Sequence, residues 1–186
     1  MRVVGGRFKG LALNAPSDNS IRPSSDRLRE AVFNVLAHRF DDPADGARVL
    51  DLFAGTGALG VESLSRGARS ALFIDMSAQA RALVRRNLEA AGIMGLARIS
   101  KRDATHLGPA SGSGGFTLAF LDPPYGRKLA DKALAQLGRG GWLAQGAIVV
   151  VEERAGVEIA LPAAFTLLDR RDYGDSQVLF LRYSAG

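Results

Sequence analysis

Cysteine is absent from the 186 residues. Disulfides and thiolate metal sites are thereby excluded. Histidine occurs only twice, as His38 and His106, which speaks against a histidine-built zinc site, so no metal is expected. No basic-then-apolar leader opens the chain, and no apolar run approaches membrane-spanning length. A cytoplasmic location is therefore expected. What is present is ordinary for a globular protein: 47% hydrophobic and 23% charged residues, in a chain long enough to bury a core. The net charge is +5 and the pI near 10.1. Seven basic and three acidic groups fall within residues 1–39, which places most of the excess there. A basic end of this kind points to a polyanionic partner or to a solvated face.

The order of apolar runs sets the expected architecture. Residues 2–4 and 11–13 read as two short strands around a glycine-bearing turn. Ser24 or Ser25 caps a helix running to about residue 39, with Leu28, Ala31, Val32, Val35 and Leu36 on one face. Arg27, Arg29 and Glu30 fall on the other face. Residues 41–46 form a polar linker. From there strands at 49–53, 71–74, 97–100, 116–121 and 147–151 alternate with helices at 58–66, 77–91 and 129–137. A final pair of strands, 165–171 and 178–183, flanks a turn. Alternation predicts an α/β fold, with a mostly parallel, doubly covered sheet and an antiparallel strand added by the last hairpin. The expected division is a β-hairpin and helix extension over 1–40 and a main domain over 46–186.

Asp122-Pro123-Pro124-Tyr125 follows the run 116–121 directly. Proline cannot donate to a sheet ladder, so the strand stops there, and two prolines stiffen the turn. The product is a rigid ledge carrying a carboxylate, a free carbonyl and a ring, which suits a flat base bearing an amine. An ordinary strand-ending turn is the plain alternative.

Upstream, Asp51-Leu52-Phe53-Ala54-Gly55-Thr56-Gly57-Ala58-Leu59-Gly60 joins the first main strand to its helix. Glycines at such a turn let a ligand approach the backbone. Gly55, Gly57 and Gly60 match the dinucleotide spacing, but Asp51 ahead of them opposes a pyrophosphate and suits a cation. S-adenosylmethionine, with its sulfonium and ammonium, is the expected ligand. Asp75, beside Met76, ends the second strand, where an acid takes ribose hydroxyls. Asp103, beside Ala104, follows the third and is placed for the adenine amine. Each acid alone reads equally as a helix cap, but four acids after four strands share one edge of the sheet.

With these motifs in place, the chain resembles a class I adenosylmethionine-dependent methyltransferase acting on an exocyclic amine. Residues 2–10, Arg-Val-Val-Gly-Gly-Arg-Phe-Lys-Gly, and 21–36, beginning Ile-Arg-Pro-Ser-Ser-Asp-Arg, are similar to those of the RsmD family. Its members are bacterial 16S ribosomal RNA guanine-N2 methyltransferases. Asp75 stands where that family often carries Glu. The resemblance implies a Rossmann-like seven-stranded fold and methyl transfer to a guanine amine of 16S rRNA, free or in an assembling 30S particle. It also implies Asp122 and the Pro123 carbonyl as acceptors for that amine, and Tyr125 as the stacking ring on the ledge. Phosphate contacts fall to Arg7, Lys9, Arg22 and Arg27, of which Arg22 and Arg27 could instead pair with Asp26 or Glu30. A monomer is expected. The rivals are an amine methyltransferase on adenine or on protein glutamine, a non-catalytic RNA-binding factor, and an NAD-dependent oxidoreductase. His38, His106 and Trp142 read as surface or packing residues, and Tyr173 as a packing residue that could instead line the site from the last hairpin.

Overall fold

Residues 49–52 alternate between two buried faces, and that alternation places the first strand at the middle of the molecule. In the computed structural model, which describes residues 1–18, 24–112 and 114–186, β1 (Arg48–Leu52) sends Val49 to one hydrophobic cluster and Leu50 and Leu52 to another. It is flanked by β2 (Ser70–Ile74) and β4 (Phe116–Leu121), both parallel to it. β3 (Ala97–Ser100) lies beyond β2, and β5 (Leu143–Arg154) beyond β4. β7 (Ser176–Tyr183) runs antiparallel between β5 and β6 (Phe165–Tyr173). The sheet order is β3-β2-β1-β4-β5-β7-β6. This is the expected mostly parallel seven-stranded sheet with one antiparallel strand. The order reverses between β1 and β4, and in open α/β sheets ligands bind outside the carboxyl ends of the strands at such a point.

Helices cover both faces, because neither face of the strands carries enough polar side chains to meet water. α1 (Asp26–Arg39), α2 (Ala58–Ser65) and α3 (Ala78–Ala91) pack on one cluster, through residues such as Phe33, Leu36, Val61 and Leu88. α4 (Leu129–Arg139) packs on the other, with Leu134, Leu137 and Trp142. Trp142 is fully buried and donates its indole N–H to the Gly108 carbonyl at 2.9 Å, a packing role as expected. Ser25 caps α1 by accepting from the Leu28 amide at 3.0 Å. Among the described residues no helix is long and apolar enough to cross a membrane.

The N-terminal hairpin forms as expected, with an antiparallel bridge from Arg2 to Ala12 and backbone bonds from Val3 to Leu11, Leu13 to Met1 and Gly10 to Val3, and its turn reaches α2. The Arg7 amide donates to the Ser65 carbonyl at 2.7 Å and the Phe8 amide to the Ser65 hydroxyl at 2.9 Å, satisfying the end of that helix. Two other expectations need correction, at β5 and at Arg29. β5 starts four residues before the expected position, with a register shift against β4 between Phe116 and Leu118. Arg29, placed on the outer face of α1 by its spacing, is fully buried. It pairs with Asp26 at 2.8 Å and Glu62 at 3.9 Å and donates to the carbonyls of Ser24 and Arg2. Glu62 in turn accepts from the Val4 amide and from Arg66. Burial of the guanidinium follows from that set of acceptors, which locks the N-terminal segment to α1 and α2.

Candidate active site

β1 ends in a turn that only unusual backbone can make. Phe53 lies at φ 56°, a conformation disfavoured for a side chain of that size, and Gly55 and Gly57 lie at φ 58° and 76°. Gly57 caps α2 without any side-chain hydrogen bond. Gly60 has a different reason to be glycine: a Cβ there would stand 2.3 Å from the Phe73 ring, so its absence lets α2 close on β2. The Gly60 amide donates to Asp51 Oδ2 at 3.0 Å. Asp51 is 1% exposed, and burial pushes its carboxyl up to about 8 against the pull of that amide, with the nearby Asp75 adding to the rise. A cation beside Asp51 would relieve this.

The next two acids are held by main-chain amides too. Asp75 Oδ2 accepts from Gly55 at 2.9 Å and Oδ1 from Ser77 at 2.8 Å, tying the glycine turn to the start of α3. Asp103 accepts from the Thr105 hydroxyl at 2.7 Å and its amide at 2.8 Å. Those bonds hold its carboxyl below the usual range despite some burial, helped by His106 at 3.2 Å. Both oxygens of Asp75 and Oδ2 of Asp103 retain a further lone pair for a ligand, while Asp103 Oδ1 spends both of its own on Thr105.

Asp122 ends β4 in different company. Its Oδ2 accepts from the Ser24 hydroxyl at 2.9 Å. Burial and the neighbouring Glu152 push its carboxyl well above the ordinary carboxylate range. Glu152, near the end of β5 and 9% exposed, accepts the Tyr125 phenol at 2.6 Å. The same phenol lies 2.7 Å from the Ser176 hydroxyl at the start of β7. Burial and Glu152 raise the phenol above its usual value, so it stays protonated. Glu153 accepts from the Gly126 amide at 3.1 Å, anchoring the far end of the proline ledge. Pro123 is buried and Pro124 exposed.

One cleft of about 1570 Å³ is lined by all four acids and by the ledge. Phe53, Ala54, Gly55, Thr56, Met76 and Ala104 line it as well; of the turn from Asp51 to Gly60, Leu52, Gly57 and Gly60 do not. Arg27, exposed in the first turn of α1, and Tyr173 face the same space. Arg7 and Lys9 do not line it. They stand exposed on the turn against the far end of α2, and eight residues of helix separate that end from the glycine turn, roughly 12 Å. Arg22 lies outside the described residues. Asp26 pairs with Arg29, a partner the sequence did not suggest.

The site roles of Glu152, Ser24 and Ser176 went unread in the sequence, where Ser24 stood only as a candidate helix cap, a place that Ser25 takes. Glu152 had a usable signal, since it follows the apolar run 147–151 as the other acids follow theirs. Ser24 and Ser176 had none, because nothing local ties either of them to Asp122 or Tyr125.

The donor set fits adenosylmethionine better than a dinucleotide. A pyrophosphate needs the free amides at a helix start. Here Asp51 already takes the Gly60 amide and brings a carboxylate to the place where the pyrophosphate charge would sit.

Known proteins share both the chain and its shape. The family model described as conserved hypothetical protein 95 matches residues 1–182. Ribosomal RNA small subunit methyltransferase D of Escherichia coli K12 is 38% identical over 162 residues, covering 87% of this chain and 78% of that protein. The protein of the same name from Haemophilus influenzae is 28% identical over 176 residues, covering 94% and 89%. A solved structure of the Escherichia coli protein yhhF superposes with a TM-score of 0.85 at 32% identity, over 100% of this chain and 99% of that one. The fold is the Rossmann-like one of class I methyltransferases. With motif, architecture and relatives in agreement over nearly its whole length, the chain belongs to the conserved hypothetical protein 95 family, the family of ribosomal RNA small subunit methyltransferase D.

Proposed function

We propose that this protein transfers a methyl group from S-adenosylmethionine to the exocyclic N2 amine of a guanine in 16S ribosomal RNA of an assembling 30S particle. It acts as a cytoplasmic monomer. The observation that carries the reading is the single cleft in which four strand-end acids meet the proline ledge. Asp51, Asp75 and Asp103, with the turn from Phe53 to Thr56 and with Met76 and Ala104, hold the donor, and Gly57 shapes that turn from behind. When bound, adenosylmethionine supplies a methyl group on a positively charged sulfur.

The chain's own work is positioning, which accounts for much of the rate in a displacement with a good leaving group. Asp122 accepts one hydrogen of the target amine and the Pro123 carbonyl accepts the other. Both become better acceptors as the nitrogen gains positive charge, so they stabilise the transition state more than the ground state. Tyr125, its phenol tethered to Glu152 and Ser176, presents a ring of fixed orientation on which the base stacks. A guanine amine inside stacked, paired RNA is out of reach, so the nucleotide is splayed outward. Arg27 at the rim, Arg7, Lys9 and Arg22 contact phosphates. Residues 1–40 thus serve as the RNA-contacting appendage and 46–186 as the transfer domain.

Mass mapping of small-subunit RNA from cells with and without the protein tests this reading. One guanine should lose a single methyl group on N2 when the protein is missing. An unchanged methylation map would overturn the reading.

A further inference from the structure

Glu152 lines the cleft and keeps one oxygen engaged. Oε1 takes the Tyr125 phenol at 2.6 Å, with Ser176 Oγ at 3.4 Å. Oε2 meets Ser24 Oγ at 3.5 Å, but a hydroxyl has one proton, and Ser24 gives it to Asp122 at 2.9 Å. Among the described residues, no hydroxyl or amide therefore donates to Oε2 at short range, and its close neighbour is the Asp122 carboxyl. Holding Tyr125 does not require this charge. A glutamine carbonyl would accept the same phenol without setting a second carboxyl beside Asp122, whose ionisation it opposes. A spare charged acceptor next to another acceptor fits a partner presenting two donors side by side. The Ser24 hydroxyl marks that donor position between the two carboxyls.

We infer that Glu152 selects guanine at this site. Its Oε2 accepts the N1–H of the target base while Asp122 accepts from the adjoining N2 amine. The assignment rests on the guanine reading above. Asp122 alone accepts an amine from adenine as well as from guanine. Adenine, however, carries an acceptor at N1, which would face Glu152 lone pair to lone pair. A site built to receive a hydrogen bond rejects the analogue lacking the donor, because its buried acceptor is left unpaired. The incoming guanine replaces Ser24 at Asp122.

The test uses the intact protein and 30S particles reconstituted with 16S RNA that carries guanine or 2-aminopurine at the mapped position. 2-Aminopurine keeps the N2 amine and lacks the N1 hydrogen. Wild-type kcat/KM for methyl transfer should be about tenfold to hundredfold lower on 2-aminopurine. Glu152→Gln retains an acceptor for Tyr125 and turns an NH2 toward the cleft. It should lower guanine methylation about tenfold and erase or reverse the preference between the two bases. Equal use of both bases by the wild type, or an unchanged preference in Glu152→Gln, overturns the assignment. The wild-type comparison needs no variant to fold. Failure of the parent reading looks different: the wild type then leaves the guanine RNA unmethylated.

Discussion

On the β1–β2–β3 side of the cleft, each acid has a main-chain amide: Gly60 serves Asp51, Gly55 and Ser77 serve Asp75, and Thr105 serves Asp103, its hydroxyl adding a second bond. On the β4–β5–β7 side Asp122 and Glu152 rest on side chains: Ser24 serves Asp122, while Tyr125 and Ser176 serve Glu152. Amides in a folded turn cannot leave, so the first half is preorganised for one ligand and varies little on binding it. Hydroxyls rotate and exchange partners, so the second half can release Ser24 and admit a base. The contrast matches a small donor held in a fixed cradle and a bulky substrate that must enter and leave.

The largest expected effect sharpens this division. Asp122→Ala should lower methyl transfer by about 10²–10³-fold, since a transition-state contact is lost. Calorimetric affinity for adenosylmethionine should stay within about twofold of wild type, because no donor-side amide depends on Asp122. Loss of both together would merge the two halves and break the comparison. Asp75→Ala strikes the other half. It strands the Gly55 and Ser77 amides, and should weaken adenosylmethionine binding by about 1–3 kcal/mol while RNA binding, read by fluorescence anisotropy, is unchanged.

A smaller effect concerns pH. The Asp51 carboxyl sits at about 8 in the folded protein, above its reference value of 3.8. A cationic donor binds the ionised form, whose share grows with pH up to that value. Affinity for adenosylmethionine should therefore rise between about pH 6.5 and 7.5, by up to tenfold, and Asp51→Asn should flatten the profile. Stability runs the opposite way. The folded state binds the extra proton between these two values, so this contribution is greatest near the lower one and is lost as pH climbs toward the upper. Affinity that ignores pH would show that Asp51 is not beside the cation.

The smallest effect tests how far the RNA reaches beyond the cleft. Arg27→Ala, at the rim, should reduce the salt slope of RNA binding by about one, and Arg7→Ala and Lys9→Ala by a similar amount each. An unaltered slope for the latter pair would confine the RNA to the cleft and remove the distant turn from the interface.

Much of this molecule was readable residue by residue. The run from Phe116 to Leu121, cut by two prolines, is a central strand ending at the cleft. Ser77 and Gly92 bound α3 as their types suggest, the latter at φ 69°. The acids at 51, 75, 103 and 122 do meet at one edge of the sheet. Arg29 misled, because helical spacing assigns a face but not what stands opposite it; Glu62, contributed by α2, made that face an interior one. Glu152 was hidden in plain sight, carrying the same strand-end signature as the other acids.

From the sequence alone came the alternation of strand and helix, the turn that glycines must make, and the acids at strand ends. All of these depend on neighbours within a few positions, where spacing and side-chain chemistry act directly. Only the tertiary structure decided which partners those acids keep. Ser24 reaches Asp122 across 98 residues of chain, and Ser176 reaches Tyr125 across 51. Such meetings follow from how sheet and helices pack in three dimensions, and short hydrogen bonds between distant side chains leave no periodic mark along the chain.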